Sequence, residues 1–147
     1  MNLNFLFAFL SLTVLNVNAQ YGRQIGLEDL GKTFYTEVKN SQSIKPCEES
    51  PGKALTYCVE DGSKITYTFD NYKLTGIVNL TAFPLKSQAE AEYIKVINEQ
   101  IRKTGIQPFY SNGMALFNKS NSNISLAFQV LEIGGTYYLA NYFTIPF

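Results

Sequence analysis

The segment KITYTFD, residues 64–70, alternates Ile65, Tyr67 and Phe69 with Lys64, Thr66, Thr68 and Asp70. Period-two patterning of this kind marks a strand with one dry face and one wet face. Turn signals bracket it: Asp61 and Gly62 stand before it as a strong hairpin dipeptide, and Asn71 with Tyr72 follow as a second tight turn. A strand held between two tight turns commits the chain to an antiparallel meander. A two-residue turn at 61–62 sets Cys58 opposite Ile65 and Thr56 opposite Tyr67. The turn at 71–72 sets Phe69 opposite Leu74, Tyr67 opposite Gly76 and Ile65 opposite Val78. The expected dry side is therefore Ile65, Tyr67, Phe69, Leu74, Val78, Leu80 and Ala82, with Cys58 tucked against it.

Pro84 ends the third strand, and KSQAEAEYIKVINEQIRKTG follows. Ser87 with Glu90 reads as a capping box and Gly105 as a helix stop. Between them Tyr93, Ile94, Val96, Ile97 and Ile101 share one side of an amphipathic helix, opposite Glu92, Lys95, Glu99, Arg102 and Lys103. The polar side mixes signs, which argues against a membrane-surface helix. Beyond it, Gly134 and Gly135 predict a tight hairpin that sets Val130 opposite Leu139, Phe128 opposite Asn141 and Leu126 opposite Phe143, with a further strand near Met114 to Phe117. Earlier in the chain, Leu27, Leu30, Phe34 and Val38 form a helical stripe interrupted by Gly31, and residues 40–52 read as a polar loop. The sum is an α+β domain with a mainly antiparallel sheet of about six strands (βββ-α-βββ), one amphipathic helix and an N-terminal helix.

Residues 1–19 read as a signal peptide. The stretch carries no charged side chain, its apolar run from Phe5 to Leu15 is shorter than the roughly 20 residues of a spanning helix, and Val17 and Ala19 fit a cleavage site. Residues 20–147 are then the mature domain, secreted or held in the cell envelope, periplasmic in a bacterium, with no membrane span after cleavage. A membrane barrel is set aside because about six strands and a central helix do not make one. In an oxidising compartment the two cysteines, Cys47 and Cys58, are expected to form a structural disulfide. The chain has no histidine for a metal site, and the Cys-x-x-Cys spacing of a redox dithiol is missing.

Twelve basic side chains balance 12 acidic ones, so nothing electrostatic points to nucleic acid. Catalysis without histidine would fall to carboxylates, Ser with Lys, or Tyr. Ser50 and Lys53 have Ser-x-x-Lys spacing, but Pro51 and Gly52 between them exclude the helix such a pair requires. The adjacent acids Glu28 with Asp29, Glu48 with Glu49 and Glu60 with Asp61 read as solvated loop residues. No catalytic residue, metal ligand or cofactor is therefore assigned. A small carboxylate-dependent hydrolase and a structural envelope protein are the alternatives to the favoured reading, a monomeric binding or accessory module whose protein, small-molecule or glycan partner is unknown. Its candidate partner surface is Tyr138 and Tyr142 on the face opposite the core, with Leu131 and Tyr110 beside them. The competing and favoured expectation is that the N-terminal helix lies over that face. Asn141, turned inward among apolar neighbours, is the candidate polar group of a small pocket. Asn118 and Asn123 are candidate glycosylation sites; the sequon at Asn79 falls in mid-strand.

Overall fold

The computed structural model describes residues 23, 25–118 and 124–145. Residues 1–19, read above as a signal peptide, and Asn123 lie outside them. Among the described residues the fold is α+β and mostly antiparallel sheet, but it holds eight strands where about six were expected. They are β1 (Glu48–Ser50), β2 (Ala54–Cys58), β3 (Lys64–Asp70), β4 (Lys73–Phe83), β5 (Phe109–Ser111), β6 (Met114–Phe117), β7 (Ser125–Ile133) and β8 (Thr136–Thr144). The helices are α1 (Tyr35–Ser41), after a 3-10 turn at Leu27–Asp29, and α2 (Lys86–Thr104) between β4 and β5. One sheet contains all the described strands, in the order β1-β2-β3-β4-β8-β7-β6-β5. Two four-stranded meanders are thus joined along β4 and β8, and α2 is the crossover between them. Eight strands match the smallest membrane barrels in number, yet this sheet is open, with β1 and β5 at its edges.

The β7–β8 hairpin has the expected register, with Val130 opposite Leu139, Phe128 opposite Asn141 and Leu126 opposite Phe143. Gly134 and Gly135 both take positive φ, 58° and 80°, as its turn demands. The first meander departs from expectation twice, each time by one residue. Between β2 and β3 the turn is longer than two residues: Val59 N–H donates to the Ser63 carbonyl (2.9 Å) and Gly62 closes the bend at φ 86°. Tyr57 therefore faces Ile65 and Leu55 faces Tyr67, while Cys58 pairs with Lys64 on the opposite side. The buried side of β2 is Leu55 and Tyr57, not Cys58.

The second shift is a bulge. Asn71 and Tyr72 make the expected turn, with φ 48° and 64°, and Phe69 does face Leu74. Thr68, however, pairs with Gly76, leaving Thr75 as the extra residue. A Cβ on Gly76 would stand 2.5 Å from Thr68 Oγ1, so the close approach at this point requires glycine. Past the bulge, Ile77 faces Tyr67 and Asn79 faces Ile65. Ile77 and Asn79 enter the core; Val78, Leu80 and Ala82, expected there, turn to the other side.

Both helices lie on the core side. Val96 and Ile97 of α2 pack with Leu126, Phe128, Leu139 and Phe143, and Ile25, Leu27, Leu30, Tyr35 and Val38 cover Leu55, Tyr67, Leu74 and Ile77. α2 begins at Lys86 with Leu85 at the N-cap and no side-chain cap, so Ser87 caps nothing; Gly105 ends it at φ 69°, its N–H reaching the Ile101 carbonyl (2.7 Å). Ile94, expected inside, is 59% exposed, and Ala89 and Gln100 are buried instead. The N-terminal stripe does not form one helix. The chain from Gly31 to Tyr35 is taken up by the start of β4, through Gly31 N–H to Leu74 carbonyl (2.7 Å), Leu74 N–H to Thr33 carbonyl (2.9 Å) and Tyr35 N–H to Tyr72 carbonyl (2.8 Å). Phe34 is left exposed and Tyr35 is buried in its place.

Candidate functional site

The cysteines form the expected disulfide, with Cα atoms 5.8 Å apart, and tie the polar edge strand β1 to the end of β2. Their backbones already meet, since Cys47 N–H donates to the Thr56 carbonyl at 2.8 Å. Next to the disulfide, Glu49 accepts from the Tyr35 hydroxyl and from Lys39 Nζ (2.6 Å), fastening β1 to α1. The hydrogen bonds from Lys39 and then Tyr35 hold the Glu49 carboxyl below the usual range. Burial, followed by the bond to Glu49, pushes the Tyr35 phenol up to about 12. Asp29 is similarly engaged, by Arg23 Nη2 (2.6 Å), Thr33 Oγ1 (2.7 Å) and the Gly26 N–H (2.9 Å). These carboxylates are committed to structural partners, and the described residues hold no group of three His, Cys, Asp or Glu side chains placed to bind a metal.

Asn141 lies on the core side of β8 with no exposed surface. Directly opposite it on β4 is Asn79, also buried, and neither amide has a hydrogen-bond partner among the described residues. The next core position beyond Ile65 in the same row is Tyr57, whose hydroxyl is likewise buried and unpartnered. The sequence singles out Asn141 and misses Asn79, because a meander without the bulge assigns Val78 to the core. Burial also makes the Asn79 sequon a structural position rather than an acceptor. Asn118 is exposed at the end of β6 and accepts from Ser125 Oγ at 2.9 Å.

The other side of the sheet carries the tyrosines. Leu131 pairs with Tyr138, and Tyr142 stands two positions further along β8, so the sheet brings these three together. Tyr110 does not join them. It sits 59% exposed on edge strand β5, opposite Ala115 and hence on the core side. The N-terminal elements pack on the core side too, so the cover expected for Tyr138 and Tyr142 is not there, and no described helix lies on their face. The bulge gives this face Val78, Leu80 and Ala82 as well. On β4 beyond its bulge, and on β8, β7, β6 and β5, no position on this side is Asp, Glu, Lys or Arg. A sheet face in water normally carries such residues. Tyr138, Ala140 and Ala127 are buried, Tyr142 and Leu131 are half-buried, and burial pushes the Tyr142 phenol up. Comparison with known proteins adds nothing to this geometry: no family model, curated protein or solved structure matches the chain.

Proposed function

We propose that the chain is an exported, non-catalytic binding module whose working surface is the helix-free face around Leu131, Tyr138 and Tyr142. The observation that carries this reading is the charge-free composition of that face across five adjacent strands. Apolar area of this extent without a covering layer marks an interaction site on a soluble protein, and tyrosines supply rigid contact area with a polar tip. The disulfide and the character of residues 1–19 support delivery to an oxidising compartment outside the cytoplasm. Against a carboxylate-dependent hydrolase stands the engagement of Asp29 and Glu49 with structural partners.

The test is capture by the immobilised mature chain of material from its native extracellular surroundings. The wild type is expected to retain a partner that a Leu131→Lys, Tyr142→Lys variant releases, while both melt at the same temperature, since neither side chain belongs to the core. Equal retention by the two proteins would place the binding surface elsewhere.

A further inference from the structure

The run ALTYCV, residues 54–59, contains no charge, no proline and no glycine, and all but its last residue form β2. Such runs pair with copies of themselves when a strand edge lies open. In this sheet the edge is closed by β1, which is a poor guard by its own contacts. β1 is three residues long and exposed at each of them, and its ion pairs, Glu49 with Lys39 (2.6 Å) and Glu48 with Lys64 (3.4 Å), lie at the surface, where such pairs hold little. The Cys47–Cys58 disulfide does what these contacts cannot, fixing the start of β1 to the end of β2. The other end of β1 is a hinge. Pro51 and Gly52, the latter at φ 70°, lead to Lys53, whose carbonyl accepts from the Phe69 N–H of β3 (2.8 Å) and so keeps β2 in the sheet whatever β1 does.

We propose that β1 is a redox latch: when a dithiol reductant opens the Cys47–Cys58 bond, β1 leaves the sheet and β2 pairs with the β2 of a second copy. The dithiol gives up two electrons and two protons, the S–S bond breaks to thiols at Cys47 and Cys58, and the reductant closes to its own disulfide. A second copy fits the vacated edge because the run is complementary to itself. In an antiparallel pair centred on Thr56, Leu55 meets Tyr57 of the second copy on the core side, and Ala54 meets its Cys58 on the helix-free side. Lys53 before the run and Glu60 after it bring opposite charges together at each end of the pair. An antiparallel pair also consumes both of the edges it needs, so assembly stops at two. While the disulfide stands, Glu48 and Glu49 line the edge with carboxylates instead and keep copies apart. None of this depends on the helix-free face being a binding surface.

The experiment is analytical ultracentrifugation of the mature chain with and without dithiothreitol, beside a Cys47→Ser, Cys58→Ser variant that cannot form an intermolecular disulfide. Oxidised wild type is expected to sediment as a monomer, and reduced wild type and the cysteine-free variant as dimers at the same concentration. Adding Ala54→Lys, which places an ammonium at a half-buried position on the pairing run, is expected to return the cysteine-free variant to monomer with its cooperative melt retained. Amide exchange gives a second reading that needs no further substitution: in the cysteine-free variant β1 and β2 exchange fast when dilute, and β2 slows on concentration while β1 does not. A reduced chain and a cysteine-free variant that both stay monomeric overturn the proposal, as does oxidised wild type that dimerises equally well. A dimer that Ala54→Lys leaves intact, or one whose protection rises in β5 and not in β2, overturns it in favour of the opposite edge of the sheet.

Discussion

Asp29 is buried with both carboxylate oxygens engaged, whereas Asn79 and Asn141 are buried with none of their amide atoms engaged. The two cases lead to opposite expectations. Burial alone would raise the Asp29 pKa, but the Gly26 N–H, the Thr33 hydroxyl and Arg23 outweigh it and hold the group below its ordinary 3.8. A carboxyl depressed in the folded state stabilises fully above its unfolded pKa, and that stabilisation is lost as pH falls through the folded value. Denaturant titrations between pH 7 and pH 2 should therefore show wild type losing stability more steeply below about pH 4 than Asp29→Asn, which starts about 1–3 kcal/mol lower at neutral pH. Parallel curves would mean that Asp29 titrates alike in both states. At the amide pair, each unpartnered group costs about 1–3 kcal/mol of desolvation, and apolar side chains of the same shape remove that cost. Asn79→Leu with Asn141→Leu is accordingly expected to raise the denaturant midpoint. A lower midpoint would show that the amides find partners in solution.

At the scale of elements, α2 offers the cleanest check on which side faces the sheet. Ile97 is buried and Ile94 is 59% exposed. Ile97→Asp should cost on the order of 4 kcal/mol by burying an unpaired charge, while Ile94→Asp should stay within about 0.5 kcal/mol. Comparable losses in the two variants would mean that the helix is rotated. Periodicity finds this helix and its Gly105 stop, but it places Ile94 with Val96 and Ile97 because an apolar stripe does not reveal its own width. The two edge strands escape a sequence reading for a related reason: Glu48–Ser50 and Phe109–Ser111 are exposed at every position, so no alternation marks them. The β7–β8 hairpin reads correctly because two consecutive glycines leave a single turn geometry. Thr75 and Gly76 defeat the same logic in β4. A bulge moves every later residue to the opposite face, and nothing in the pattern of Ile77, Val78, Asn79 and Leu80 distinguishes the two registers. The candidate site inherits that ambiguity: Leu131, Tyr138, Tyr142 and Asn141 lie on β7 and β8 and are legible, whereas Asn79, Val78, Leu80 and Ala82 lie beyond the bulge and are not.

The whole molecule is two meanders sewn together at β4 and β8, so its most central contacts are also the most distant in sequence and its outermost strands the easiest to peel away. β1 gains little from packing, since all three of its residues are exposed, as are the three of β5 at the other edge. What holds it is chemistry outside the ladder: the disulfide at one end and the Glu49 contacts with Tyr35 and Lys39 in the middle. The carboxylates of Glu48 and Glu49 also discourage a foreign strand from pairing there. Removing the disulfide should therefore loosen a corner without dismantling the sheet. Closing a loop of this size stabilises by about 2–3 kcal/mol in the chain-entropy model, and Cys47→Ser, or Cys47→Ser with Cys58→Ser, is expected to lower the melting temperature accordingly while the protein still unfolds cooperatively. Reductant should bring wild type down to the variant and leave the variant unmoved. Amide exchange should quicken in β1 and β2 and keep its order of protection along β4 and β8. Equal melts of wild type and variant in the absence of reductant would remove the disulfide from the stability of the fold, and exchange that quickens equally in β8 would show that the two meanders open as one unit.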